Sequence, residues 1–198
     1  MLLSRGELEN DQLRRALDAQ KQSGGRIGEW LQQLGFVREH QITSALGFQW
    51  SCPVLRSLPP PTADCPLPRH LLHLFRMVPV HFNKSTRVLH VAFAADIEYR
   101  ALLAIEQMLD CKAEPCLADG SAVESWLQSS QEQARGADPV FESVRGPEET
   151  ARILVSYATK LCADDARITT LGEYIWARIQ GGDDTADLLF RRSGAPPE

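Results

Sequence analysis

The sequence is short of several things, and each shortage excludes a class of protein. Aromatic residues make up only 7% of its 198 residues. No apolar run approaches the ~20 residues that a membrane-crossing helix needs, and the N-terminus has no signal-peptide core. Positive charge is in the minority: 21 lysines and arginines face 26 acidic residues, a net charge of −5. Phosphate affinity comes mainly from lysine and arginine, so a general DNA- or RNA-binding role is excluded while a local basic pocket is not. The cysteines Cys52, Cys65, Cys111, Cys116 and Cys162 are five in number, with no CxxC pair among them. That spacing speaks against a zinc site and for free, buried thiols in a reducing cytosol.

Catalytic signatures are missing too. The chain has no GxxxxGK[ST] loop, no GxGxxG after a strand, no GxSxG elbow and no HExxH. His70 and His73 share one helix face, but no acidic or cysteine partner stands at a ligand spacing, so they read as surface or packing histidines. His81 and His90 are placed to pair across a hairpin. Asp164 and Asp165 are neighbours on one loop, whereas catalytic carboxylates need opposed positions. No catalytic constellation emerges, and the chain reads as non-enzymatic, with no metal and no cofactor. An enzyme would have to assemble its site from distant residues.

What is present begins with apolar content of 43%, enough for a core, in a length that admits one or two domains. The first fifty residues repeat at an offset of 29: Leu2 meets Leu31, Gly6 meets Gly35, Leu8 meets Val37 and Gln12 meets Gln41. Leu13 with Ile42, Ala16 with Ala45, Leu17 with Leu46 and Gln20 with Gln49 continue it. Within each copy the last four fall at spacings of three and four, one helix face. Gly6 and Gly35 stand where a short helix ends and turns, because glycine accepts positive φ. The expectation is an α+β protein opening with pseudo-repeated helical hairpins over 1–50.

A small α+β subdomain is expected over 51–128. It opens with a proline-rich connector to residue 68, which is neither regular helix nor central strand. A short helix over 68–76, strands near 78–83 and 87–94 flanking "NKST", a helix over 97–109 and a short strand in "AEPCLAD" follow. Ser121 with Glu124 three places on has a capping-box pattern and starts a last helix. Residues 129–147 are poor in apolar residues and read as a linker. A short C-terminal helix-and-strands fragment occupies 148–192: a helix near 147–162, strands in "RITTL" and "YIWARI" joined at Gly172, and "DLLFR" as a third. One helix and three strands make a small core, so this fragment is expected to dock on the main domain or on a second copy. Residues 193–198 read as a disordered tail.

The joint "SGGRIGEWLQQLG" admits two readings. In one, a helix begins near Arg26, its unsatisfied amides attract an anion, and the Arg26 guanidinium stacks on or bonds a guanine edge. Gly28 then admits a ligand close to the backbone, and Ile42, Leu46 and Gln49 line the neighbouring wall. In the other, Gly24 and Gly25 cap a helix, Arg26 is solvated and the apolar stripe is packing.

Residues 26–49, "RIGEWLQQLGFVREHQITSALGFQ", resemble the 24-residue motif of the MshEN domain, the N-terminal domain of type II secretion and type IV pilus assembly ATPases. Arg26, Gly28, Leu31, Gly35, Val37, Leu46 and Gln49 fit its pattern, and Ile27 and Ile42 fit conservatively. Phe36 is aromatic, and Gln32 polar, at aliphatic positions. The family carries two such motifs five residues apart; here Gln20 closes an upstream copy and "KQSGG" is the spacer. The stretch "RMVPVHFNKSTRVLHVAFAADIEY" is similar to the domain's C-terminal half, without the proline of its Ala-Asp-Pro turn. The tail resembles the opening of the next ATPase domain, and no Walker motif follows.

The resemblance implies cyclic di-GMP binding, with Arg26, Ile27, Gly28, Ile42, Leu46 and Gln49 in the second-motif roles and Leu13, Leu17 and Gln20 in those of the first. The first motif's Arg-Leu-Gly would lie upstream of Met1, and Glu7 takes an aliphatic position. The expectation is either an upstream start or binding that is weak or lost. The implied function is that of a cytoplasmic regulatory or adaptor protein, with a protein partner in secretion or pilus machinery and no membrane insertion. The alternative is a protein-interaction scaffold that has lost the nucleotide.

Overall fold

A computed structural model describes residues 1–61, 66–132, 139–144 and 146–192. The N-terminal part holds α1 (Asn10–Ser23), α2 (Ile27–Gln33) and α3 (Glu39–Gln49). The 29-residue repeat persists down to single hydrogen bonds. The Glu7 amide donates to the Leu2 carbonyl at 3.0 Å, as Phe36 does to Leu31 at 2.9 Å. Gly6 donates to Leu3 at 3.1 Å, as Gly35 does to Gln32 at 2.9 Å, with both glycines left-handed at φ +68° and +71°. The Gln12 side chain accepts from the Glu9 amide at 2.9 Å, and Gln41 accepts from Arg38 at 2.8 Å. The matched glutamines are therefore capping residues, closing reciprocal boxes at the starts of α1 and α3. The copies differ ahead of the glycines, where residues 2–5 form turns instead of a counterpart to α2. Leu8, Ala16, Leu31 and Val37 are buried between the copies, under Leu13, Ile27 and Ile42.

The middle of the chain holds α4 (Arg69–Leu74), β1 (Met77–Asn83), β2 (Val88–Phe93), α5 (Tyr99–Leu109), β3 (Lys112–Leu117) and α6 (Gly120–Glu132). The sheet order is β1-β2-β3, with β1 antiparallel and β3 parallel to β2. Pro79 is tolerated because β1 is an edge strand, and the ladder shifts register beside it. Across this hairpin His81 does lie opposite His90. The connector clips onto the other edge: Leu117 donates to the Pro53 carbonyl at 2.8 Å and Leu55 to the Leu117 carbonyl at 2.7 Å. Helix α5 has apolar residues at helical spacing, and Leu102, Ile105 and Met108 lie in the same buried core as Leu89, Val91 and Phe93 of β2.

The last elements are β4 (Val140–Val144), α7 (Pro147–Lys160), β5 (Asp165–Leu171), β6 (Tyr174–Gly181) and β7 (Asp184–Arg192), in a sheet ordered β4-β7-β6-β5. The expected C-terminal strands are present, and the turn between β5 and β6 is made by Gly172, left-handed at φ +59°, and Glu173. This sheet docks on the first unit. Leu171, Trp176 and Leu189 lie in the same buried core as β1–β3, and the Thr169 hydroxyl donates to the Gln107 side chain of α5 at 2.8 Å.

Three expectations need correction. The stretch 129–147 is not wholly a linker: α6 runs on to Glu132, and β4 pairs in parallel with β7. Partners distant in sequence made that strand, and an isolated polar segment does not announce them. Ser121 does not cap α6, because it lies inside the helix; its hydroxyl donates to Glu39 at 2.5 Å, while Glu124 pairs with Arg76. Of the thiols, only Cys116 is buried among the described residues; Cys52 and Cys111 are half-buried and Cys162 is exposed, all four unbridged. Cys65 and the tail at 193–198 lie outside the described residues.

Candidate functional site

The glycine–arginine joint opens onto a cavity of about 380 Å³ between the helical repeat and the first sheet. Arg26 is the N-cap of α2, in extended backbone, and Ile27 and Gly28 start the helix. Ile42, Thr43 and Leu46 face them from α3, and Ala94–Asp96 close the cavity from the end of β2. Gly28 suits the close approach of the two helices: a Cβ there would stand 3.2 Å from the Ile42 Cγ2, tight enough that this side chain would have to shift. The opposite wall is tied down through α3. The Glu39 carboxylate accepts from the Ser121 amide at 3.1 Å, and the Thr43 hydroxyl donates to Asp119 at 2.6 Å. Glu39 thus fills the amide-rich start of α6 with a carboxylate of the chain itself.

The charge pattern of the cavity is mixed. Arg26 is bonded to the Asp96 carboxylate, and both side chains are more than half exposed. At that exposure solvent screening leaves the pair little stabilising effect. The start of α2 is not an open anion cradle either, because Glu29 accepts from the Arg26 amide at 3.4 Å. Around these polar groups the surface is apolar, formed by Ile27, Ile42, Leu46 and Trp50.

The residues singled out by sequence separate into three groups. Arg26, Ile27, Gly28, Ile42 and Leu46 line this cavity together. Leu13 and Gln49 line a second one of about 470 Å³, with Ile27 shared between the two and Leu2, Leu8 and Phe48 completing its apolar wall. Leu17 and Gln20 line neither: Leu17 is exposed, and the Gln20 side chain donates to the Gly25 carbonyl at 2.8 Å, bracing the joint. Sequence reasoning passed over Thr43, Trp50 and Asp96. Asp96 had a signal in the turn "AAD"; Thr43 and Trp50 had none, because only the fold brings them to the cavity.

The histidines behave as packing groups. His70 lies against Tyr174 with ring centroids 5.6 Å apart, and the Nε2 atoms of His70 and His73 are buried without a hydrogen-bond partner. Burial pushes His73 below its ordinary value, against the pull of Glu124. Among the described residues no group of three or more potential ligands could hold a metal, and no helix is long and apolar enough to cross a membrane.

No family profile matches the chain. A curated relative is the type IV pilus assembly ATPase PilB of Thermus thermophilus, 26% identical over 124 residues, which is 61% of this chain and 14% of PilB. The chain therefore spans a small fraction of that relative's length. Among solved structures, a structure of MshE with cdg (cyclic di-GMP) matches 64% of this chain and 93% of its own, at a TM-score of 0.53 and 28% identity. The N-terminal domain of XpsE matches 65% of this chain and 89% of its own, at a TM-score of 0.47 and 21% identity. The chain is thus α+β with an MshEN-like fold, similar in structure to MshE and in sequence to the type IV pilus assembly ATPase PilB.

Proposed function

We propose that this chain is a non-enzymatic regulatory or adaptor module that binds cyclic di-GMP and relays its presence to a secretion, pilus or related surface machine. The observation that carries the reading is the cavity, where Arg26, Ile27, Gly28, Ile42 and Leu46 converge. They supply one guanidinium, a side-chain-free backbone approach and an apolar wall, which suit a guanine base with an adjoining phosphate. The solved structure of MshE with cdg supports the ligand's identity. The ligand extends from this cavity across Ile27 toward Leu13 and Gln49; Gln20 braces the joint through the Gly25 carbonyl, and exposed Leu17 stands outside both cavities. The partner is a protein of the machine, and the module works in the cytoplasm without nucleic acid or membrane insertion.

The test is calorimetric titration of the chain with cyclic di-GMP, beside Arg26→Ala. Loss of a charge-assisted hydrogen bond costs about 1.5–3 kcal/mol, roughly tenfold to over a hundredfold in affinity. Micromolar binding weakened by that factor supports the sensor. No heat from the unaltered chain refutes it and favours the second reading, a protein-interaction scaffold without the nucleotide. That reading has its own observation: Asp96 already holds Arg26, and Glu29 and Glu39 add negative charge to the same walls.

A further inference from the structure

A second polar cavity, of about 330 Å³, lies where the C-terminal sheet meets the first unit. Arg87 reaches it from the turn before β2, Arg167 from β5 and Arg178 from β6; Phe82, Met108 and Leu109 supply apolar wall. Among the described residues, no acidic side chain lines it. Each guanidinium is paired with a carboxylate, Arg87 with Asp110 at 3.4 Å, Arg167 with Asp165 at 3.2 Å and Arg178 with Asp187 at 2.7 Å.

Each guanidinium is held by part of its hydrogen-bonding edge. Arg87 donates from Nε to the Asp110 carbonyl at 2.5 Å and from Nη2 to the Leu109 carbonyl at 2.6 Å. Arg178 donates from Nε and Nη2 to Asp187 at 2.8 and 2.7 Å, and from Nη2 to the Pro66 carbonyl at 2.7 Å. Arg167 donates from Nε to Asp165 at 3.2 Å and from Nη1 to the Gln107 carbonyl at 3.5 Å. One terminal nitrogen of each remains without a protein acceptor among the described residues: Nη1 of Arg87, Nη2 of Arg167 and Nη1 of Arg178. The paired carboxylates of Asp110, Asp165 and Asp187 are absent from the cavity lining. The result is three guanidiniums fixed by the fold, each with donor capacity in reserve.

We propose that this cavity is a binding site for the phosphate group of a phosphorylated small molecule, separate from the cavity at Arg26. Planar guanidiniums match phosphate oxygens in pairs. The volume falls at the small end of small-molecule sites, with Arg178 nearly buried and Arg87 and Arg167 reaching it from solvent. Because Arg87 belongs to the first unit and Arg167 and Arg178 to the second, a bound phosphate fastens one to the other. Ligand binding to the folded state then raises the unfolding temperature.

The experiment is an NMR titration of the full chain with sodium pyrophosphate, against sodium chloride at matched ionic strength, following the Met108 methyl and the arginine Nε–H signals. The expected result is a saturable shift at Met108, Arg87 and Arg167 with a single dissociation constant. Arg87→Gln and Arg167→Gln each raise that constant about tenfold, and Arg15→Gln, on exposed α1, leaves it unchanged. Failure of the unaltered chain to saturate by about 10 mM, well above a weak millimolar site, overturns the proposal without any variant. So do shifts confined to Arg26 and Ile42, or saturation that neither glutamine variant weakens. None of these outcomes depends on whether the chain binds cyclic di-GMP.

Discussion

Replacing Asp187 by alanine tests how the C-terminal sheet is held. The Asp187 carboxylate accepts three bonds, from Trp176 Nε1 at 2.7 Å, Arg178 Nε at 2.8 Å and Arg178 Nη2 at 2.7 Å. Both charged side chains are nearly buried, 10% exposed for Arg178 and 12% for Asp187. Truncation strands the guanidinium beside the Trp176 ring with the Pro66 carbonyl as its remaining acceptor. Breaking one side of a buried ion pair costs about 3–5 kcal/mol, and the orphaned indole N–H adds about 1–3 kcal/mol. The two losses share one carboxylate and add incompletely, so the expectation is about 4–6 kcal/mol. That is a large part of the ~5–15 kcal/mol that holds a domain folded. The assay is urea unfolding, read by tryptophan fluorescence and circular dichroism. A double variant, Arg178→Met with Asp187→Leu, removes both charges and leaves the neutral indole N–H and the Pro66 carbonyl unpaired, so it should cost about 2–4 kcal/mol, less than the stranded charge. The reasoning is refuted if Asp187→Ala costs less than about 1 kcal/mol, the range of an exposed pair. It is equally refuted if the double variant is the less stable of the two.

Other consequences follow from close approach and burial. A Cβ at Gly181 would stand 2.0 Å from the Leu161 carbonyl oxygen, a backbone atom that cannot swing aside. Gly181→Ala should therefore cost at least the ~1–3 kcal/mol of an overpacked core and lower the melting temperature by several degrees in a thermal scan. Cys162 is exposed, while burial, with Cys52 nearby, pushes Cys116 up to about 12. Thiol labelling mapped by mass spectrometry should modify Cys162 in the native protein at mild pH and Cys116 only after unfolding, since the thiolate is the reactive form. The same shift sets a pH dependence. An unfolded Cys116 releases its proton near 9.0 and the folded one near 12, so its contribution to stability is intact below 9 and is lost as pH rises through that window. Stability flat from pH 8 to 11 in urea titrations of Cys116→Ala and the unaltered chain alike would remove that linkage.

Much of the fold is legible in the sequence because its signals are local. The offset of 29 places α1 and α3, and the glycines at 6 and 35 mark the turns that end each leading segment. Apolar periodicity locates α5, and the "NKST" turn locates the β1–β2 hairpin. The motif around Arg26 names five residues that meet in one cavity. What stays hidden depends on partners far away in sequence. β4 exists because β7 is beside it, and Ser121 is drawn from a capping role by Glu39, 82 residues earlier. Asp96 reaches Arg26 across 70 residues.

By itself the sequence determined where helices begin, where chains turn and which positions are apolar, because 3.6-residue periodicity, capping and left-handed glycines act within a few residues. It also determined the resemblance to the MshEN domain, which rests on residue type at fixed spacing. The tertiary structure alone decided that Leu17 and Gln20 stand outside both cavities, that three arginines from separate strands and turns share one, and that the last sheet completes the core of the first. Those outcomes depend on how layers pack and where charges end up after burial, and such contacts join residues with no common local pattern.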